Sequence, residues 1–171
     1  MKDSGKMRAF WVIRRFRNDE DFLTGQPKSV EDATGRMLPA QSEIDFNLLL
    51  NEGITALLNL LIGNAETNFG NSNAYLGVGD DNTAESAAQT GLVAATNKLY
   101  KAMEASYPQI SGQGATWRSV FGSSDANFDW NEFTVANGNS DAADNLNRKV
   151  SAQGTKASGQ TWTLDLTITF S

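Results

Sequence analysis

The segment from Gln160 to Ser171 constrains this chain most. Trp162, Leu164, Leu166, Ile168 and Phe170 alternate with Thr161, Thr163, Asp165, Thr167 and Thr169. Successive side chains on a strand point to opposite sides of a sheet, so this spacing predicts a half-buried β-strand with its C-terminal end built into the sheet. The pattern recurs. Ala9–Phe16 is dense in β-formers, and short runs over Ala74–Gly79, Trp130–Ala136 and Leu146–Ser151 have the same character. Residues 98–107 alternate up to Pro108, and Ala115–Phe121 alternates again beyond Ser111-Gly-Gln-Gly114, which reads as one long antiparallel hairpin.

One helix is expected. Leu49, Leu50, Ile54, Leu57, Leu58 and Leu61 follow helical spacing, and Gly63-Asn64 is a stop signal. Gly53 weakens its interior, which favours a start nearer Ile54. Leu48, Leu60 and Ile62 widen the apolar surface beyond one stripe, so the helix, at about residues 48–62, is expected to be covered on more than one side. Residues 17–45 are polar and aperiodic, a long loop or extended arm of the kind that often serves a partner. Together these readings give a mainly β fold, an antiparallel β-sandwich or open barrel with one buried helix. The division is an N-terminal strand and arm over residues 1–46, then a β-rich core domain over residues 47–171.

Chemistry is bounded by what is missing. The 171 residues include no cysteine and no histidine, so thiolate chemistry, the Ser-His-Asp triad and the usual zinc ligands are excluded. An enzyme would need carboxylates, lysine or a hard cation; the expectation is a non-enzyme with no cofactor. No apolar stretch is long enough to span a bilayer, and no secretory leader is visible. Six basic side chains (Lys2, Lys6, Arg8, Arg14, Arg15, Arg17) face only Asp3 in the first seventeen residues, whereas the rest carry eight basic and nineteen acidic side chains. An acidic body argues against nucleic acid as partner, and the basic segment suits an acidic protein surface.

Three constellations invite a site and each has a plainer account. Gly77-Val78-Gly79 lacks the rest of a phosphate loop and is better read as close backbone approach. Asp80, Asp81 and Glu85 gather oxygen ligands suited to calcium, but without an EF-hand spacing; an Asx turn leading into a helix cap at Thr83 fits as well. Asp125, Asp129 and Glu132 would supply a carboxylate pair only if aligned, and strand parity does not align them. Phe128, Trp130 and Phe133 suit a core better than a stacking platform.

Read as a set, Asn47–Gly63, Tyr75–Asp80, Thr96–Met103, Ala126–Phe133, Leu146–Val150 and Gly154–Trp162 with the terminal strand are distinctive. The set resembles a family of small virion structural proteins of tailed bacteriophages. The resemblance covers residues 47–171 and, loosely, 9–16; residues 17–45 depart from it most. It implies a virion structural protein. The leading reading is a capsid decoration (cement) protein on the outer head surface, made in the host cytoplasm, with the major capsid protein and further copies of itself, in a trimer or other homo-oligomer, as partners and neither nucleic acid nor membrane. A tail, baseplate or head-to-tail connector protein is the alternative. A carbohydrate- or receptor-binding module using residues 137–145, and a metal-dependent hydrolase using Asp80–Glu85, are the readings from other classes. The family carries no catalytic residues to this chain. By position and chemistry alone, Arg14, Arg15, Arg17, Phe22 and Leu23 are the expected partner contacts.

Overall fold

The computed structural model describes residues 6–171; Lys2 and Asp3 of the basic segment lie outside them. The elements run β1 (Met7–Phe16), α1 (Asp19–Leu23), β2 (Val30–Glu31), β3 (Met37–Leu38), β4 (Gln41–Asp45), β5 (Leu48–Leu49) and α2 (Asn51–Ile62). Then follow β6 (Tyr75–Gly79), β7 (Lys98–Ala102), β8 (Gln109–Ser111), β9 (Gly114–Phe121), β10 (Glu132–Ala136), β11 (Asn147–Val150) and β12 (Thr161–Phe170). One antiparallel sheet has the order β4-β1-β12-β9-β8, a second has β5-β11-β10-β6-β7, and β2-β3 forms a small third. The mainly β, sandwich-like architecture is the one that the alternation predicts.

The terminal strand is the spine of the first sheet. It pairs with β1 along ten residues, from Phe16↔Thr161 to Met7↔Phe170, and with β9 on its other side. Trp162, Leu164, Leu166 and Ile168 are buried against Trp11 and Ile13 of β1 and against Leu76, Val78, Phe133 and Val135 of the second sheet. Trp130 joins the two layers, with ring centroids 4.8 Å from Phe121 and 4.9 Å from Trp162 in edge-on packing. The polar face is more covered than expected: Thr161, Thr163 and Asp165 are buried as well. Asp19 of α1 accepts a hydrogen bond from the Thr161 hydroxyl, and two guanidiniums close over Asp165.

The expected long hairpin is divided between the sheets. β7 pairs with β6 in the second sheet, while only β8 pairs with β9, across the Gly112-Gln113 turn where Gly112 takes φ +57°. The chain crosses over within residues 103–108, where Ser106 adopts φ 72°. Alternation marks which side chains share a face; it carries no record of which sheet the strand joins.

Residues 17–45, expected as a loop or extended arm, fold back over one end of the sandwich. Short elements α1, β2, β3 and β4 interrupt the loop, and Val30 and Leu38 are buried. Backbone bonds from Lys28 to Arg15 and from Ala33 to Thr155, and the Gln160 side-chain N–H to the Glu31 carbonyl at 2.6 Å, fasten it. The helix cap read at Thr83 opens no helix: residues 85–95 form a loop. There the loop lies over the second sheet, with Leu92 and Ala94 buried.

The helix differs from expectation in two ways. It starts at Asn51, because Gly53 sits where a Cβ would lie 2.3 Å from Leu146 Cα; the glycine is a packing requirement and no breaker. It ends as expected at Gly63, in the left-handed region at φ 76°. Its burial is one-sided: Gly53 and Ala56 are buried, whereas Leu58, Leu61 and Ile62 are 55%, 80% and 71% exposed.

Candidate functional site

The residues expected to contact a partner separate into a buried and an exposed group. Arg15 shares the inward parity of Ala9, Trp11 and Ile13. Its guanidinium is buried, 4.7 Å over the Trp162 ring, and donates to Ser42 Oγ (2.7 Å), the Pro39 carbonyl (3.0 Å) and the Gln153 carbonyl (3.0 Å). Burial, then the nearby Arg36 charge, holds its pKa down to about 10. Arg15 is therefore a structural clasp on residues 39–42 and 153, and the expectation that it contacts a partner is corrected. Its parity within β1 is the sequence signal that marks it.

Arg14, on the opposite face, donates to Asp165 at 2.7 Å. Arg118 grips the same carboxylate through Nε (2.7 Å) and Nη2 (2.6 Å), stacks 4.7 Å over Tyr107 and lies 4.0 Å from Glu104. The Asp165 hydrogen bonds raise the Arg118 pKa. A cleft of about 240 Å³ opens there, lined by Arg14, Phe16, Phe22, Glu104, Arg118 and Thr163 among others. Phe22 packs edge-on against Phe16 at 5.3 Å. Arg17 is exposed and pairs with Asp21 at 2.7 Å, and Leu23 is 83% exposed at the end of α1. Arg14, Phe22 and Leu23 thus cluster near one corner, beside an Arg118 that sequence reasoning missed because it lies 104 residues away from Arg14.

At the other end of β1 lies a surface that sequence reasoning did not identify as a site. A groove of about 260 Å³ runs between α2 and the ends of β1, β9 and β12, lined by Met7, Leu57, Ile110, Trp117, Ile168 and Phe170 among others. Its lining is almost wholly apolar. Ile110 is 79% exposed, Phe170 56% and the neighbouring Phe46 77%. The signal was present: α2 carries more apolar surface than one packed side can use.

The acidic candidates are taken up by the fold. Asp80 accepts from the Asn97 amide (2.8 Å), Asp81 from the Thr83 N–H (2.7 Å) in an Asx turn, and Glu85 from the Val150 N–H (2.7 Å). Hydrogen bonds from Thr83 lower the Asp81 carboxyl; burial raises the Glu85 carboxyl, but the Val150 N–H, its own backbone N–H and the Lys149 and Arg148 charges together outweigh burial and lower it. Among the described residues, no group of three or more acids is placed to hold a metal ion. Asp125 pairs with Lys101 at 2.6 Å, Asp129 accepts from the Thr155 hydroxyl, and Glu132 pairs with Arg148 at 2.7 Å with both side chains fully buried. Glu132 also accepts from the Val93 and Ala94 N–H groups at 2.9 and 2.8 Å, so it fixes the loop over the second sheet. Gly77 and Gly79 serve close approach, since a Cβ would lie 2.7 Å from Thr134 Cγ2 or 2.4 Å from Glu132 Oε1.

Among the described residues no helix is long and apolar enough to cross a membrane. The chain matches no family model, no curated protein and no solved structure.

Proposed function

We propose that this chain is a structural subunit of a bacteriophage virion, a capsid decoration protein that sits on the outer head surface and bridges neighbouring major capsid subunits. One observation carries the reading: two uncovered surfaces lie at opposite ends of β1. Ten residues of strand span roughly 30 Å. At one end is the apolar groove beside Met7; at the other, Phe16 supports Phe22, with Leu23 and Arg17 exposed beyond it. A subunit with a contact surface at each end can hold the capsid at one end and a further subunit at the other, so that an assembly of such chains spans neighbouring capsid subunits. The family resemblance of residues 47–171 supports the same reading. Many copies make modest contacts strong together, because each engaged contact raises the effective concentration of the next.

The corner at α1 is assigned to the capsid. Purified protein mixed with heads that lack it is expected to co-sediment and saturate in simple proportion to the capsid subunit. Leu23→Asp should weaken that binding without lowering the melting temperature, because Leu23 packs on almost nothing. Absence of co-sedimentation, or binding confined to the tail, would contradict the proposal.

A further inference from the structure

The apolar end is larger than an isolated subunit has use for. Leu57 lines the groove, and Leu61 stands one turn further along α2 on the same side. Leu58 and Ile62, again one turn apart, continue that surface away from the core. Phe46 joins it through the concavity that it shares with Met7, and Phe170 through a second one. Phe46, Leu58, Leu61, Ile62, Ile110 and Phe170 are each more than half exposed. Together they present on the order of 700 Å², against roughly 300–600 Å² for the largest apolar patch of an ordinary monomer and about 800 Å² per partner in a standard interface.

We infer that a second copy of this chain covers this end, and that the protein is a closed homo-oligomer built around it. Three features select a like copy as the occupant. The exposed apolar area is already that of one side of a stable interface. Among the described residues, the charged side chains lining these concavities are Lys6, Arg8 and Asp45, so the patch holds both signs and a like copy brings an Asp45 to a base. Contact through this end also turns the acidic remainder of each chain, which gives the protein its net −6, away from its neighbour. The second covered side that the α2 sequence calls for is supplied between chains.

Sedimentation velocity on the purified full chain, across roughly 1–100 µM, tests this. The wild type is expected to sediment as an oligomer. Ile110→Lys and Leu61→Lys are each expected to weaken association by about thirtyfold or more, as loss of an interface anchor does. Leu23→Lys, at the far corner, is expected to leave it unchanged. Both end positions are about four-fifths exposed in the single chain, so the variants should keep the wild-type near-ultraviolet spectrum. Hydrogen exchange on the wild type gives a second readout: protection of α2 and β8 should rise with concentration. A monomer throughout that range, or an oligomer indifferent to both end substitutions, would overturn the inference. The inference shares this surface with the proposed function, but head binding is assigned to the far corner and read separately, so either can fail without the other.

Discussion

Lys156 is an ammonium with no exposed surface, donating to the Gly122 carbonyl and to Asn127 Oδ1 at 2.8 Å each. Burial brings its pKa down to about 8, against the opposing pull of Asp125 and Asp19. Between about pH 8 and the ordinary lysine value the unfolded chain binds a proton that the folded chain has released, so stability rises with pH across that window and is flat below it. Tyr100 works the other way. Burial and the Asp141 carboxylate raise its phenol well above its ordinary value, so from about pH 10 upward the unfolded chain loses a proton that the folded one keeps, and stability falls. Urea unfolding at pH 8 and pH 10 should therefore show the wild type gaining up to about 2–3 kcal/mol over Lys156→Met. Identical pH dependence in the two proteins would contradict this. The buried Glu132–Arg148 pair gives a sharper loss: Arg148→Met should cost about 3–5 kcal/mol, and the Glu132→Gln/Arg148→Met double variant less, because no charge is then stranded. Equal losses in the single and double variants would rule that out. Residue identity in the sequence says little about such roles. Arg14 and Arg15 look alike in a basic run, and only strand parity sends one to the outer face and the other under Trp162.

At the scale of elements, α2 shows local preference and packing in opposition. Alanine at position 53 would favour the helix by about 1 kcal/mol. Its Cβ, however, would meet Leu146 Cα at 2.3 Å and the Leu146 carbonyl oxygen at 2.5 Å, backbone atoms that cannot swing aside. Gly53→Ala is therefore expected to destabilise by about 1–3 kcal/mol net, as overpacking does, and to displace α2 from the groove. A rise in melting temperature would show that propensity wins. The strands were legible because their alternation is strong, as in β9 and β12, or because β-formers are dense, as in β1. Their partners were not: residues 98–107 alternate in the sequence as if to pair with β9, yet β7 joins the second sheet and only the later β8 pairs with β9. Residues 17–45 were opaque for a different reason, since their order comes from distant groups such as Arg15, Thr155 and Gln160.

For the whole molecule, the sandwich follows from strand alternation, but the two contact ends do not. Arg118 reaches Arg14 only through the pairing of β9 and β1 on either side of β12, and the groove forms only where α2 meets the ends of three strands. What the sequence did disclose was an excess of apolar surface on α2, and the fold leaves that excess uncovered. The proposed decoration protein would make use of both ends at once, one for the capsid and one for a further copy. The most direct test is the number of copies in purified virions, measured by quantitative mass spectrometry against the major capsid protein. Hundreds of copies in a simple ratio to that protein is the predicted result; a few to a few dozen copies would move the chain to the tail or connector and contradict the account.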